Sequence, residues 1–214
     1  MRFIIQEYTP DMEAQWLIVK SALASVSHTW DFVCRRKENI SLPSVSLAAA
    51  CDEHIIGLIT AEVEETPGSV CWNSDTRGAN VHEFGVVPEH QAEGAGSALM
   101  DALARELRKQ NIHRAEFWTK DHNAAAFYRH KGLREIFCQT HFRFVPDESK
   151  FPPDVTPLHA YGIHFNGKLP QKTKNNIPGF METHPFEPHE CIGFEWKWEE
   201  DSNDRKVMSD EGSN

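Results

Sequence analysis

From Glu83 the chain reads EFGVVPEHQAEGAGSALMDALAREL: an apolar run, a turn holding Gly94 and Gly96, then a long amphipathic stretch. Two glycines one residue apart at a helix start are costly, because glycine loses much backbone freedom on folding and supports a helix poorly. Leu99, Leu103 and Leu107 nonetheless recur at four-residue spacing, with Asp101, Arg105, Arg108 and Lys109 on the other face. That pattern predicts an amphipathic helix from about Gly94 to Gln110. Asn111 suits the left-handed position that ends such a helix. A strand that passes through bare backbone into a helix N-terminus makes a cradle for an anion. Its N–H groups allow close approach, and the aligned peptide dipoles favour negative charge.

Two phosphate-binding designs fit poorly. A Walker A loop needs a lysine after its last glycine, and none follows here. A dinucleotide fingerprint needs a third glycine where Leu99 stands, and it opens the first βαβ unit rather than following some 80 residues of other elements. Glu116 at the distance of a ribose contact is a weak coincidence. On these six residues alone, a plain helix start with glycines for close packing is an equal reading.

Other segments place this turn in a layered domain. RFIIQEY predicts a strand, and Thr9-Pro10-Asp11 a helix start with Thr9 as cap, the helix running to about Val26 on a stripe of Ala14, Leu17, Ile18, Ser21 and Ala22. VSLAAACDEHIIGLITAEVEE reads as two strands around an Asp52-Glu53 hairpin turn, TPGSVCWNSDTRGAN as loop, and VHEFGVV as the next strand. HRAEFWT predicts a strand, DHNAAAFYRHKG a helix stopped by Gly132, and LREIFCQTHFRFV a long strand. Strands and helices in this mixed order imply an α/β or α+β layered domain.

Composition narrows the function classes. No stretch approaches the ~20 apolar residues of a membrane span, and the N-terminus does not read as a signal peptide. The five cysteines, Cys34, Cys51, Cys71, Cys138 and Cys191, are odd in number and lack C-x-x-C spacing, so reduced thiols in a cytoplasmic protein are expected. A net charge of -10 argues against nucleic acid, whose phosphates need clustered Lys and Arg, and suits amine or cationic partners as well as plain solubility.

Two motifs in order carry a family resemblance. Gln91-x-x-Gly94-x-Gly96, preceded by EFGVVPEH, resembles the first acyl-CoA-binding motif of the GNAT N-acetyltransferase superfamily. Asp121-x-x-Ala124-x-x-x-Tyr128-x-x-x-Gly132-Leu133 resembles its second, one helix and one strand later. The resemblance spans Arg2 to Val145. It implies a mixed, mostly antiparallel sheet with splayed central strands and flanking helices, and acetyl-CoA as co-substrate. It further implies diphosphate contacts from Gln91, Ala92, Glu93, Gly94, Ala95, Gly96 and Ser97, and pantetheine contacts from Phe84, Gly85 and Val86 on a bulged strand. A backbone N–H near Val86 would polarise the thioester carbonyl, and Tyr128 would protonate the leaving thiolate or hydrogen-bond it. Two departures stand out. Glu93 replaces the usual base before the glycine, and Asp121 replaces the usual Asn, with Asn123 two residues on as the alternative polar contact.

The implied reaction is attack of an amine on the acetyl thioester. The amine must be neutral, and free alkylamines have a pKa of about 10, so a general base is expected. Glu83 is the first candidate and His82 the second; strand periodicity lets only one of them look into a given side of the sheet. SHTWDF, with His28, Trp30, Asp31 and Phe32, offers an acceptor wall or an ordinary helix corner. The expected organisation is an acetyltransferase domain over 1–146, a C-terminal extension over 147–198 packing on it, and a disordered tail over 199–214. In the extension LHAYGIHFNG and HECIGFEWKW read as strands. The second is expected at the sheet edge, closing the acceptor cleft or building a homodimer interface. His184, His189 and Cys191 lack a fourth ligand at zinc spacing. The expected function is N-acetylation of a primary amine on a small molecule or protein; the alternative is an inactive acyl-CoA-binding sensor or interaction module.

Overall fold

The computed structural model describes residues 3–26, 36–37, 40, 42–144, 161–166 and 189–198. SHTWDF, the connector after Val145, His184 and the expected tail lie outside these residues. The chain divides into two compact units, Met1–Phe117 with Glu195–Asn214, and Trp118–Phe194.

In the first unit the strands are β1 (Ile4–Glu7), β2 (Ser44–Cys51), β3 (His54–Val63), β4 (Ala79–Val86) and the start of β5 (Arg114–Thr119), in that spatial order. All pair antiparallel except β4 with β5, which is parallel. The hairpin between β2 and β3 turns on Asp52 and Glu53, both at positive φ (47° and 68°), as a two-residue turn that matches strand twist requires.

β2 and β3 are almost continuously buried, because helices cover both faces. On one side α1 (Glu13–Val26) packs Trp16 and Val19 on Ala48, Ile55 and Leu58. This corrects the expected stripe. Ile18 is 68% exposed, and the buried line is Trp16, Val19 and the partly buried Leu23. The indole removes more apolar area from water than Ala14 or Ala22, and burial at about 25 cal/mol per Å² sets the helix rotation. Thr9 precedes a short 3-10 turn (Pro10–Met12), but its side chain makes no cap bond; its carbonyl accepts from Met12 N–H instead.

On the other side α2 (Ala95–Arg108) buries Leu99, Leu103 and Leu107, as its period predicts. The helix ends with Ile112 N–H donating to Leu107 O, Asn111 N–H to Arg108 O, and Asn111 at φ 57°. These bonds satisfy carbonyls that a helix end otherwise leaves without partners.

The second unit holds α3 (His122–His130), β6 (Arg134–Phe144), β7 (Tyr161–Asn166) and the start of β8 (His189–Lys197), with β6 and β7 antiparallel. Gly132 at φ 75° stops α3, with Leu133 N–H on Tyr128 O. Both C-terminal strands exist as expected. Within the second unit β8 neighbours β6; within the first its end runs beside the start of β5, where Trp198 N–H donates to His113 O.

Candidate functional site

The glycine turn begins where β4 ends. A short 3-10 turn (Pro88–His90) leads into Gln91, whose carboxamide Nε2 donates to Val86 O at 3.0 Å. That bond ties the turn to the last residue of the strand. Ala92 and Gly94 then take left-handed backbone (φ 62° and 92°), and Ala95 opens α2. Among the described residues, a Cβ added at Gly94 would have nothing within 4 Å, so its conformation and not crowding requires glycine. Among the described residues no side chain caps α2, and its first-turn N–H groups, from Ala95 through Ser97, face the helix N-terminus where an anion is favoured. The first turn of α2 carries no acid. Glu93 sits just before it, exposed, and meets His90 Nδ1 at 3.2 Å.

β4 carries the expected bulge. Thr60 pairs with Glu83 and Ala61 with Val81, so His82 is the extra residue. The ladder to β5 pairs Ala79–Val81 with Ala115–Phe117, while β4 runs on to Val86. Phe84 packs edge-on against Phe117, centroids 6.0 Å apart. Gly85 lies so close under α1 that an added Cβ would stand 2.6 Å from Leu23 Cδ1.

The two base candidates separate clearly. His82 Nε2 meets Glu62 Oε2 at 2.6 Å in a partly exposed pair. Glu83 is held on both oxygens. Lys20 Nζ of α1 lies 2.5 Å from Oε1, and Thr60 Oγ1 donates to Oε2 at 2.9 Å. The Glu83 side chain retains 8% of its exposure and Lys20 17%. Lys20 and Thr60 escaped the sequence reading; the only local signal was a lysine three positions before the buried-face residue Leu23.

In the second unit Asp121 is the N-cap of α3. Its Oδ1 accepts from Ala124 N–H at 2.8 Å, so this side chain serves the helix. Asn123 is exposed on the first turn. Tyr128 is buried, its ring 5.3 Å from that of Phe194. Burial, and then the nearby Asp121 carboxylate, push the phenol up from its ordinary value, so it stays a neutral donor.

A sequence profile described as "Acetyltransferase (GNAT) family" matches residues 2–133. The chain belongs to the GNAT acetyltransferase family. Among solved structures this GNAT chain is similar to the ribosomal-protein-S18-alanine N-acetyltransferase from Escherichia coli (TM-score 0.53, 13% identity, covering 94% of this chain and 98% of that one). It is also similar to a tandem GNAT protein from the clavulanic acid biosynthesis pathway (TM-score 0.53, 17% identity, covering 73% and 52%). At these identities the likeness is one of fold. No curated protein sequence matches the chain. Among the described residues, no helix is long and apolar enough to cross a membrane.

A second polar cluster lies away from the turn, in the first unit. Arg114 is buried with Glu64, Glu116 and Glu195. Its Nη1 is 2.9 Å from Glu116 Oε1 and its Nη2 3.3 Å from Glu64 Oε2. Glu116 also accepts from Trp72 and Asn73 N–H, and Glu64 from Val70, Cys71 and Gly78 N–H. Burial alone would raise Glu64; the three backbone donors and Arg114 outweigh it and hold its carboxyl below the usual range. These bonds staple the loop between β3 and β4.

Proposed function

We propose that this GNAT protein is an acetyl-CoA-dependent N-acetyltransferase that acts on a primary amine of a small molecule or protein. The observation that carries the reading is the continuous run from the bulge at His82, along β4, through the Gln91–Val86 bond, into the uncapped N-terminus of α2. A bulge is a device for re-aiming a strand beside an active site, and the helix start is suited to a diphosphate.

In this reading the N–H groups from Ala92 to Ser97 hold the diphosphate, and Phe84 to Val86 hold the pantetheine arm along the strand. Val86 N–H polarises the thioester carbonyl, stabilising the charge that develops on its oxygen. Glu83 takes the proton that the acceptor ammonium must lose before nitrogen can attack. Tyr128, neutral because it is buried, gives a proton or a hydrogen bond to the departing thiolate. Glu93, engaged with His90, is kept from the diphosphate by that pairing.

The test is release of free thiol from acetyl-CoA across a panel of amines, for wild type and Glu83→Gln. Turnover with at least one amine, lowered ~100-fold or more in the variant as for loss of a general base, supports the reading. Tight acetyl-CoA binding without turnover of any amine would favour an acyl-CoA sensor instead.

A further inference from the structure

Both oxygens of Glu83 are occupied by the protein itself. An acceptor amine seeking this carboxylate meets an alkylammonium already there, that of Lys20. Lys20 and Leu23 lie three residues apart on the α1 face that covers β4, with Lys20 over Glu83 and Leu23 over Gly85. The resident amine is thus paired with the base proposed above, on the strand proposed to hold the thioester.

We infer that Lys20 is itself an acetyl acceptor, modified by the protein's own acetyl-CoA. This rests on the transferase reading and extends it to a covalent site within the chain. Among the described residues, two other lysines paired with a glutamate are far more exposed. Lys109, beside Glu106, keeps 68% of its side-chain exposure, and Lys197, beside Glu195, keeps 56%. Water stabilises those charges. The Lys20–Glu83 pair, at 17% and 8% side-chain exposure, is largely shielded from that water. In the proposed step Glu83 takes a proton from Nζ, and the neutral amine is the nucleophile. Val86 lies three residues beyond Glu83 on the same strand, roughly 10 Å along it, and the four-carbon lysine stem is flexible.

The step balances without another reactant. Nζ forms a bond to the acetyl carbonyl carbon as the carbon–sulfur bond breaks. Of the two protons nitrogen gives up, one goes to Glu83 and on to solvent. The other leaves with sulfur as CoA thiol. The product, an amide at Lys20, carries no charge, so it releases Oε1 of Glu83 to an incoming acceptor.

The experiment incubates the full chain with acetyl-CoA and no added amine, then maps acetylated lysines by peptide mass spectrometry. Acetyl-CoA binding and amine turnover are measured on the same preparation. The variants are Lys20→Arg, which keeps the cation, and Glu83→Gln. The expected result is one acetyl group per chain at Lys20, absent in Lys20→Arg and formed at least ~10-fold more slowly in Glu83→Gln, a modest share of what general bases contribute. Acetyl-CoA binding with amine turnover but an unmodified Lys20 overturns the inference and leaves the transferase reading standing. Acetylation spread over exposed lysines at equal rates in Glu83→Gln overturns it as well, as plain chemical acetylation. Failure of binding, turnover and labelling together removes the transferase reading, and the inference with it.

Discussion

Arg114 and Glu116 meet at 2.9 Å with both side chains withdrawn from solvent, and Glu64 comes to the same guanidinium at 3.3 Å. One arginine thus answers several buried carboxylates, and the backbone N–H groups of the loop between β3 and β4 answer the rest. Replacing Arg114 with Met would leave those carboxylates without their cation. Breaking a buried ion pair from one side typically costs about 3–5 kcal/mol, so urea unfolding of Arg114→Met should show a midpoint far below wild type. A change within about 0.5 kcal/mol, typical of surface substitutions, would contradict the burial of this network.

The same network predicts an acid limb. Glu64 is held below its ordinary value in the folded protein, so the folded state binds its proton less readily than the unfolded chain does. Its contribution is complete above the unfolded glutamate value of about 4.3 and is lost as pH falls through the lower folded value. Unfolding free energy should therefore fall between neutral pH and the acid side of 4, and Glu64→Gln should flatten that slope while lowering stability at pH 7. An unchanged slope in the variant would assign the acid limb to other carboxylates.

Gly94 gives a prediction from backbone alone. At φ 92° with open space around it, Gly94→Ala meets no neighbour but must hold a left-handed conformation, at a cost of roughly 1–2 kcal/mol. The strain should loosen the turn and weaken acetyl-CoA binding as well as stability. Thermal unfolding and an acetyl-CoA titration on the one variant check both.

Gln91→Ala should separate binding from chemistry. Removing the bond to Val86 O unties the glycine turn from the end of β4. A neutral hydrogen bond contributes about 1 kcal/mol, so KM for acetyl-CoA should rise by roughly five-fold with kcat much less affected. A fall in kcat at constant KM would place Gln91 in the chemical step instead.

Much of this was legible in the chain because its signals are local. Asn111 and Gly132 stop helices through their own backbone preferences, and Asp52-Glu53 turns a hairpin between two apolar runs. The glycine turn was readable for the same reason: Gly94 declares a conformation. The partners of Glu83 were not. Lys20 lies 63 residues away in sequence, and Arg114 lies 50 from Glu64. A lysine or arginine reads as surface charge until the fold brings a carboxylate to it. The expected stripe on α1, with Leu17 and Ile18 at its centre, gives way to Trp16, Val19 and Leu23, which pack on the sheet while Ile18 stays exposed.

The most direct test of the central claim is a calorimetric titration of acetyl-CoA into the wild-type protein and into Ser97→Asp. Ser97 lies in the first turn of α2, where a carboxylate is compatible with the helix and is favoured by its dipole, so the variant should stay folded. There it would face the diphosphate with like charge. The account predicts one acetyl-CoA bound per wild-type chain and binding weakened at least ~10-fold in the variant at unchanged thermal stability, about 1.4 kcal/mol of lost affinity. Absence of binding to wild type, or equal binding to both proteins, would contradict the assignment of the α2 N-terminus as the acetyl-CoA site.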